Sequence, residues 1–495
     1  EELMTEGSML LSGVDVDIRI GKPIDVGGYL NHRAVARDIK CPGYISFEAS
    51  IPSAGVLKKA SVQLMERYMT AIYRMTTVNH DHLLASILRH MPFRRIREDD
   101  LRRRLFLITQ LNLKNLEIFF HNSFDTDQVH LLTDDRYHKF ADFLEAALDT
   151  GALARDGAYL VKEKGAFSTA FHFHQIRIGN PVAVMANEVE PLRRLQRKIR
   201  RIAYCPGFWI KRWTASLLIR RAEERYDRDY ETHFIAGESK AREVGMPYLV
   251  KGKGRHMGVL MIHGYMSAPI EMAPLAGYLG RQGITVYVPR LTGHGTSPED
   301  LAACTFSDWL DAVDAGYAII RSRCRHVIVG GFSTGAALAL DLVSRNDGVL
   351  GVFAVCPPRR LQDPSLKKSL AVDFWKLLKG KVRGGMDREK EFIENTPENP
   401  LTSYRRNPVS GIREIERLME RLDARLPAIQ TPTLVVHAHR DPVALPEESK
   451  RIFDLIGADE KTYVLFNFDR HGILSGSGAP RVHRVIRDFI QDLCP

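Results

Sequence analysis

Residues 326–340 read His-Val-Ile-Val-Gly-Gly-Phe-Ser-Thr-Gly-Ala-Ala-Leu-Ala-Leu, and few backbones satisfy them. The apolar run at 327–329 suits a buried strand, and the apolar residues 336–343 suit a helix. Between them stand Gly330, Gly331, Ser333 and Gly335, a G-x-S-x-G corner. Such a corner puts a serine on a strained strand-to-helix turn, with its hydroxyl pushed out above the sheet. Glycines at 331 and 335 have no Cβ, so strand and helix can cross close to it. The backbone N–H of Thr334 then points toward an oxygen held near Ser333, and the helix N-terminus adds partial positive charge. A Gly/Ser-rich turn that merely joins two elements is the bland alternative.

The surroundings favour the sharper reading. From about residue 231 strands alternate with helices, which predicts an α/β unit with a mostly parallel sheet covered on both faces. Expected strands lie at 258–262, 284–288, 327–329, 350–355, 433–438 and 462–468. The alternation breaks between about 359 and 427, where helical pieces are expected at 366–378, 388–394 and 412–422. An insertion there would form a helical lid over the strand ends. Phe374, Trp375, Leu377 and Leu378 are expected to face an apolar channel, or else to be ordinary packing residues.

A serine hydroxyl needs a base, and the base needs an orienting carboxylate. The expected order along this architecture is Ser, acid, His, each after a strand end. Asp441 follows the strand at 433–438 and His471 follows the strand at 462–468, so Ser333, Asp441 and His471 form the expected triad. Asp469 is nearer His471 in sequence but would have to fold back within a tight loop. His437 and His439 are read as pocket-lining residues, and His294, in Gly293-His-Gly295, as a structural turn residue. The oxyanion hole needs two backbone donors. Thr334 supplies one, and Tyr265, after His263-Gly264, the other.

The landmarks His263-Gly264-Tyr265, Arg290-Leu-Thr-Gly-His-Gly295, Gly331-Phe-Ser-Thr-Gly335, Arg440-Asp441 and Asp469-Arg-His-Gly472 stand in this order. On them, residues 255–493 resemble the alpha/beta hydrolase family, in its carboxylesterase and monoacylglycerol lipase branch. The resemblance implies the same triad, the same two oxyanion donors and a lid. Thr334 departs from the larger apolar residue frequent in the lipase branch, which leaves the acyl-pocket shape open.

The first 230 residues read differently. Alternation at 14–20 suits a half-buried strand, and residues 6–24 resemble the closing portion of glycerolipid acyltransferase domains. That resemblance implies a remnant at 1–50, with the H-x4-D catalytic core upstream. Since the first residue is Glu1, the chain is expected to be part of something longer. The formal match from His130 to Asp135 has nothing phosphate-binding around it. Residues 51–230 look mainly helical, at 57–73, 81–90, 98–111 and 134–148, and their histidines show no metal-ligand spacing.

The net charge of +10 is concentrated. Residues 191–221 hold ten Lys/Arg and no Asp/Glu, with Leu192, Leu195, Ile199 and Ile202 on one helical face and Phe208, Trp209 and Trp213 among the cations. This segment suits an anionic membrane surface. A solvated basic face packed on a neighbouring helix is the competing reading. No nucleic-acid reading motif accompanies the charge. The six cysteines are scattered and form no C-x-x-C, so neither a disulfide framework nor a zinc site is indicated, and no cofactor is expected. No apolar run reaches the roughly 18 residues a spanning helix needs, and no signal peptide is visible. A cytoplasmic enzyme, peripheral at the inner membrane surface, is the expectation.

The whole predicts a serine esterase or lipase acting on acyl esters of lipid-like alcohols. A transacylase in glycerolipid metabolism and a membrane-docking module with a vestigial site are the alternatives. A peptidase is compatible with the fold, but no acidic subsite for an amino terminus is legible.

Overall fold

The computed structural model of the chain describes residues 18–40, 43, 51–111, 118–163, 165–167, 180–253, 256–359 and 392–494. The chain divides into two units, one of residues 1–131 and 137–206, the other of residues 132–136 and 207–495.

The first unit contains helices α1 (Ala54–Arg74), α2 (His80–His90), α3 (Glu98–Thr109), α4 (Ala141–Asp149), α5 (Pro181–Glu188) and α6 (Arg193–Tyr204). It also holds an antiparallel sheet of β1 (Arg95–Arg97), β2 (Leu153–Asp156) and β3 (Tyr159–Lys162), in the order β1-β3-β2. These strands are too short to carry a legible period, so the sequence read as mainly helical here. The helix expected at 134–148 begins only at Ala141, because Asp135 and His138 take left-handed φ values of 46° and 53°. The half-buried strand expected at 14–20 lies mostly outside the described residues. Its described end, at 18–20, is not a strand and leaves Ile18 and Ile20 exposed. Leu195, Ile199 and Ile202 of α6 are buried among α2 and α3. Arg104, itself buried, donates to the carbonyls of Ile202, Ala203 and Cys205 at the C-terminus of α6. Each such apolar side chain contributes about 1.5–3 kcal/mol on burial. The apolar stripe of α6 is therefore committed to packing, as the competing reading of the basic segment had it, and Arg193, Arg194, Arg197, Arg200 and Arg201 are exposed.

The second unit opens with α7 (Gly207–His233), so the basic segment is shared between the two units. Its sheet has seven strands: β4 (Tyr248–Val250), β5 (Met257–Ile262), β6 (Thr285–Val288), β7 (His326–Phe332), β8 (Gly351–Val355), β11 (Thr433–Ala438) and β12 (Lys461–Phe466). The order across the sheet is β12-β11-β8-β7-β5-β6-β4, parallel throughout except for β4 on β6. The central strands are buried on both faces and accordingly read as unbroken apolar runs. Helices α8 (Ala273–Arg281), α9 (Phe306–Arg323), α10 (Thr334–Val343), α12 (Pro446–Leu455) and α13 (Ala479–Asp492) complete the layers.

Between β8 and β11 lies the insertion. Its described part is a strand pair, β9 (Phe392–Glu394) with β10 (Arg406–Pro408), followed by α11 (Val409–Asp423). Residues 392–394 were expected in a helix. They instead pair antiparallel with 406–408, and the Arg406 guanidinium sits 4.5 Å over the Phe392 ring. The helix expected at 412–422 is α11. Phe374, Trp375, Leu377 and Leu378 lie outside the described residues.

A buried ion network fixes α11 to the body of this unit. Arg345, 4% exposed, bonds Asp134 (2.6 Å), Asp314 (3.1 Å) and Asp341 (2.8 Å). Asp341 of α10, fully buried, also accepts from Arg421 of α11 at 2.8 Å.

Candidate active site

Strand β7 ends at Phe332 and α10 begins at Thr334, leaving Ser333 alone at the corner with φ 54° and ψ −123°. A side chain rarely adopts such angles, and positions that hold them cost on the order of 1–3 kcal/mol. The crossing is close. A Cβ on Gly331 would lie 2.0 Å from the Gly335 carbonyl oxygen, and one on Gly335 would lie 2.2 Å from that of Ile262. The Ser333 N–H donates to the Val355 carbonyl at 2.8 Å, which pins the corner to β8.

Asp441 follows β11, as the strand-end argument requires. Its Oδ1 accepts from the N–H groups of Val443 (2.8 Å) and Ala444 (3.0 Å), and its Oδ2 from Nδ1 of His471 at 2.7 Å. Burial pushes this carboxyl up, but the hydrogen bonds from His437 and His471 outweigh it and hold the group well below the usual carboxylate range. The acid is thus a fixed anion that keeps the His471 proton on Nδ1. The Nε2 of His471 is buried and has no hydrogen-bond partner among the described residues. The ring leans on Phe332 with centroids 4.8 Å apart. Asp469 is exposed and makes no ion pair with His471.

Ser333, Thr334, Tyr265 and His471 line one cavity of about 830 Å³. Ile412 and Ile415 of α11, with Val443, give it an apolar wall; Ser267, Asn395, Asn399 and Ser403 give it a polar one. The Tyr265 loop is held on several sides. His263 is fully buried, with Nδ1 donating to the Gly264 carbonyl (2.9 Å) and Nε2 accepting from the Leu291 N–H (3.1 Å). Burial pushes its pKa down to about 4, in keeping with a neutral ring that uses both nitrogens. The Tyr265 hydroxyl donates to Asn407 at 3.0 Å, the Tyr404 N–H donates to the Met266 carbonyl at 3.1 Å, and Met266 takes φ 60°.

The other histidines fall elsewhere. His294 is fully buried in its turn, its Nδ1 3.1 Å from the Thr292 carbonyl. His437 and His439 were expected to line the pocket, and neither does. His437 is buried behind Asp441, 3.4 Å from it, while His439 lies just past the end of β11 and is exposed. His130 belongs to the first unit and Asp135 to the second. Cys356, Asp441 and His471 bring their donor atoms within 4.8 Å of one another. Asp441 and His471 spend theirs on each other, so the set is not an open metal site.

Two residues of the site had no sequence signal. Glu271 accepts from the Gly264 N–H at 3.0 Å, and Glu398 accepts from the N–H groups of His471 and Gly472.

The comparisons with known proteins converge on this unit. A family model described as serine aminopeptidase, S33, matches residues 255–477. A thermostable monoacylglycerol lipase from Bacillus sp. (strain H-257) is 32% identical over 219 residues, which is 43% of this chain and 82% of that protein. A carboxylesterase from Bacillus subtilis (strain 168) is 24% identical over 245 residues, 49% of this chain and 95% of that protein. Among solved structures, a Paleococcus ferrophilus monoacylglycerol lipase aligns at 22% identity with a TM-score of 0.41, over 50% of this chain and 98% of that one.

Proposed function

We propose that this chain, which belongs to the serine aminopeptidase S33 family of α/β hydrolases, hydrolyses acyl esters of lipid-like alcohols through an acyl-enzyme on Ser333. It is a serine hydrolase of the esterase and lipase type. The observation that carries the reading is the 2.7 Å bond from His471 to Asp441, with the other ring nitrogen unpartnered among the described residues and both His471 and Ser333 lining one cavity.

The steps follow from those atoms. His471 Nε2 takes the proton from the Ser333 hydroxyl as its oxygen attacks the ester carbonyl. Negative charge builds on the carbonyl oxygen, which the N–H groups of Tyr265 and Thr334 receive; each such donor is worth roughly 2.7–4 kcal/mol in the transition state. The tetrahedral intermediate collapses, and the alcohol leaves with the proton from His471. Water, deprotonated by the same nitrogen, then attacks the acyl-enzyme and releases the carboxylic acid. Throughout, Asp441 keeps the imidazole in one tautomer.

The apolar wall of Ile412, Ile415 and Val443 suits an acyl chain. Two carboxylates, Glu271 and Glu398, also line the cavity, but both accept backbone N–H groups, which weighs against a subsite for a peptide amino terminus. Ser333→Ala is expected to abolish p-nitrophenyl ester hydrolysis and fluorophosphonate labelling while leaving the circular dichroism spectrum unchanged. Retained turnover would refute the assignment.

A second reading passes the acyl group to an alcohol instead of water. It is favoured by the hydroxyl and amide side chains of Ser267, Asn395, Asn399 and Ser403 on the polar wall. Product analysis with glycerol or lysophospholipid present separates the two.

The membrane reading rests on α7. Phe208, Trp209 and Trp213 are 59%, 50% and 39% exposed and share a face with Arg212, while Ile210, Thr214 and Leu218 are buried on the opposite face. Aromatic rings among cations suit an anionic lipid interface. No helix among the described residues is long and apolar enough to cross a membrane. Flotation with phosphatidylglycerol vesicles, lost in a Phe208/Trp209/Trp213→Ala variant, is the expected outcome.

A further inference from the structure

The imidazole of His471 is held through Asp441, but the peptide that carries it is held by something else. Glu398 lies between β9 and β10, in the insertion. Its two carboxylate oxygens accept from two successive N–H groups, that of His471 at 2.9 Å and that of Gly472 at 2.8 Å. The carbonyl side of the same residue is held as well, accepting from the Ile473 N–H at 2.9 Å and facing the Cys356 thiol at 3.7 Å.

From this fork we infer that Glu398 is a positioning residue for the general base, acting through the backbone of His471 from outside the triad. The inference rests on His471 being that base. A carboxylate that spans two consecutive N–H groups fixes the rotation of the intervening peptide as well as its place. Asp441 alone does not do this. One hydrogen bond at Nδ1 lets the ring pivot about that contact, and Nε2 then moves away from the serine. The second anchor must therefore grip the backbone, and Glu398 grips it on the cavity side.

The source of the anchor has a functional meaning. Glu398 is 73 residues from His471 and belongs to the insertion, whose neighbouring residues Tyr404 and Asn407 hold the Tyr265 loop. One segment thus touches both the base loop and the oxyanion loop. A cap rearranged at 395–407 would disturb proton transfer and oxyanion binding together, although none of its residues takes part in bond making. Glu271 is the counterpart on the other side, since its carboxylate accepts from Gly264 next to Tyr265.

The test uses the full chain with p-nitrophenyl butyrate. Misplacement of a catalytic group by about 1 Å costs on the order of 100-fold in rate. For Glu398→Ala we expect kcat to fall at least about tenfold, with KM within about twofold and with fluorophosphonate labelling of Ser333 slowed by the same factor. Glu398→Gln retains one acceptor oxygen and is expected to fall between the two. A purely structural role would lower the melting temperature and leave kcat of the folded fraction unchanged. That result, in Glu398→Ala or in Glu398→Gln if the alanine variant does not fold, overturns the proposal. Ser333→Ala in parallel keeps the two readings apart: its residual turnover tests the triad, whereas the Glu398 variants test the anchor.

Discussion

Histidines in the two units are used in opposite ways. In the first unit, Nε2 of His80 lies 2.7 Å from Gln128, that of His82 2.8 Å from Glu188, and that of His90 2.9 Å from Gln196. Each is committed to a partner, and each sits where helix packing needs a polar bridge. In the second unit, His471 lines a cavity and has one nitrogen committed to Asp441, while the other is buried with no partner among the described residues. His294 and His437 also carry a buried nitrogen without a partner among the described residues, but neither lines the cavity. The proposed base is therefore marked by a conjunction: one nitrogen fixed by a carboxylate and the other buried without a partner among the described residues. Burial, or the presence of a carboxylate nearby, does not distinguish His471 from His82.

The largest expected effect tests that contrast directly. Asp441→Asn should lower kcat by about 10⁴-fold, because an amide can hold the wrong tautomer in place. His82→Ala should leave kcat unchanged and cost about 1 kcal/mol of stability by removing the side chain that accepts from the Asn79 N–H. Steady-state kinetics and urea denaturation of both variants decide it, and comparable kcat losses would erase the distinction. Next in size is the ion network. Arg345→Ala leaves Asp341 and Asp314 buried without their shared cation and should destabilise the second unit by about 3–5 kcal/mol. A midpoint shift under 1 kcal/mol would show that the carboxylates find other partners. The smallest is a pH effect. His263 titrates at about 4 in the folded chain and at 6.5 unfolded. Between those values the unfolded chain binds a proton there and the folded chain does not. Stability should therefore drop as pH falls through this window, by up to roughly 3 kcal/mol from this group. The drop measured by urea denaturation between pH 7 and 4.5 should be smaller in His263→Gln, and equal drops would remove His263 as the cause.

The sequence was legible where local chemistry and strand ends coincide. The corner at Ser333 needs small residues on both sides. Asp441 follows a short buried apolar run and His471 a short strand at the sheet edge, so their placement after strand ends could be argued without coordinates. Glu398 could not. It sits in no motif and acts on a backbone 73 residues away, and a carboxylate that caps two N–H groups looks like any surface glutamate in a sequence. His437 was misassigned for a related reason, since a period-two alternation gives the two faces of β11 but not which face the cavity occupies. In the first unit, three- and four-residue strands fell below the length at which a period shows. In the basic segment, the apolar stripe of α6 was visible, but what it packs against was not.

The backbone at Ser333 bears on how such a chain could change. Only glycine is relaxed at φ 54° and ψ −123°, and glycine carries no oxygen. On the proposed mechanism, Ser333→Gly would give a sturdier but inert protein, while every other residue would take on the strain without supplying the nucleophile.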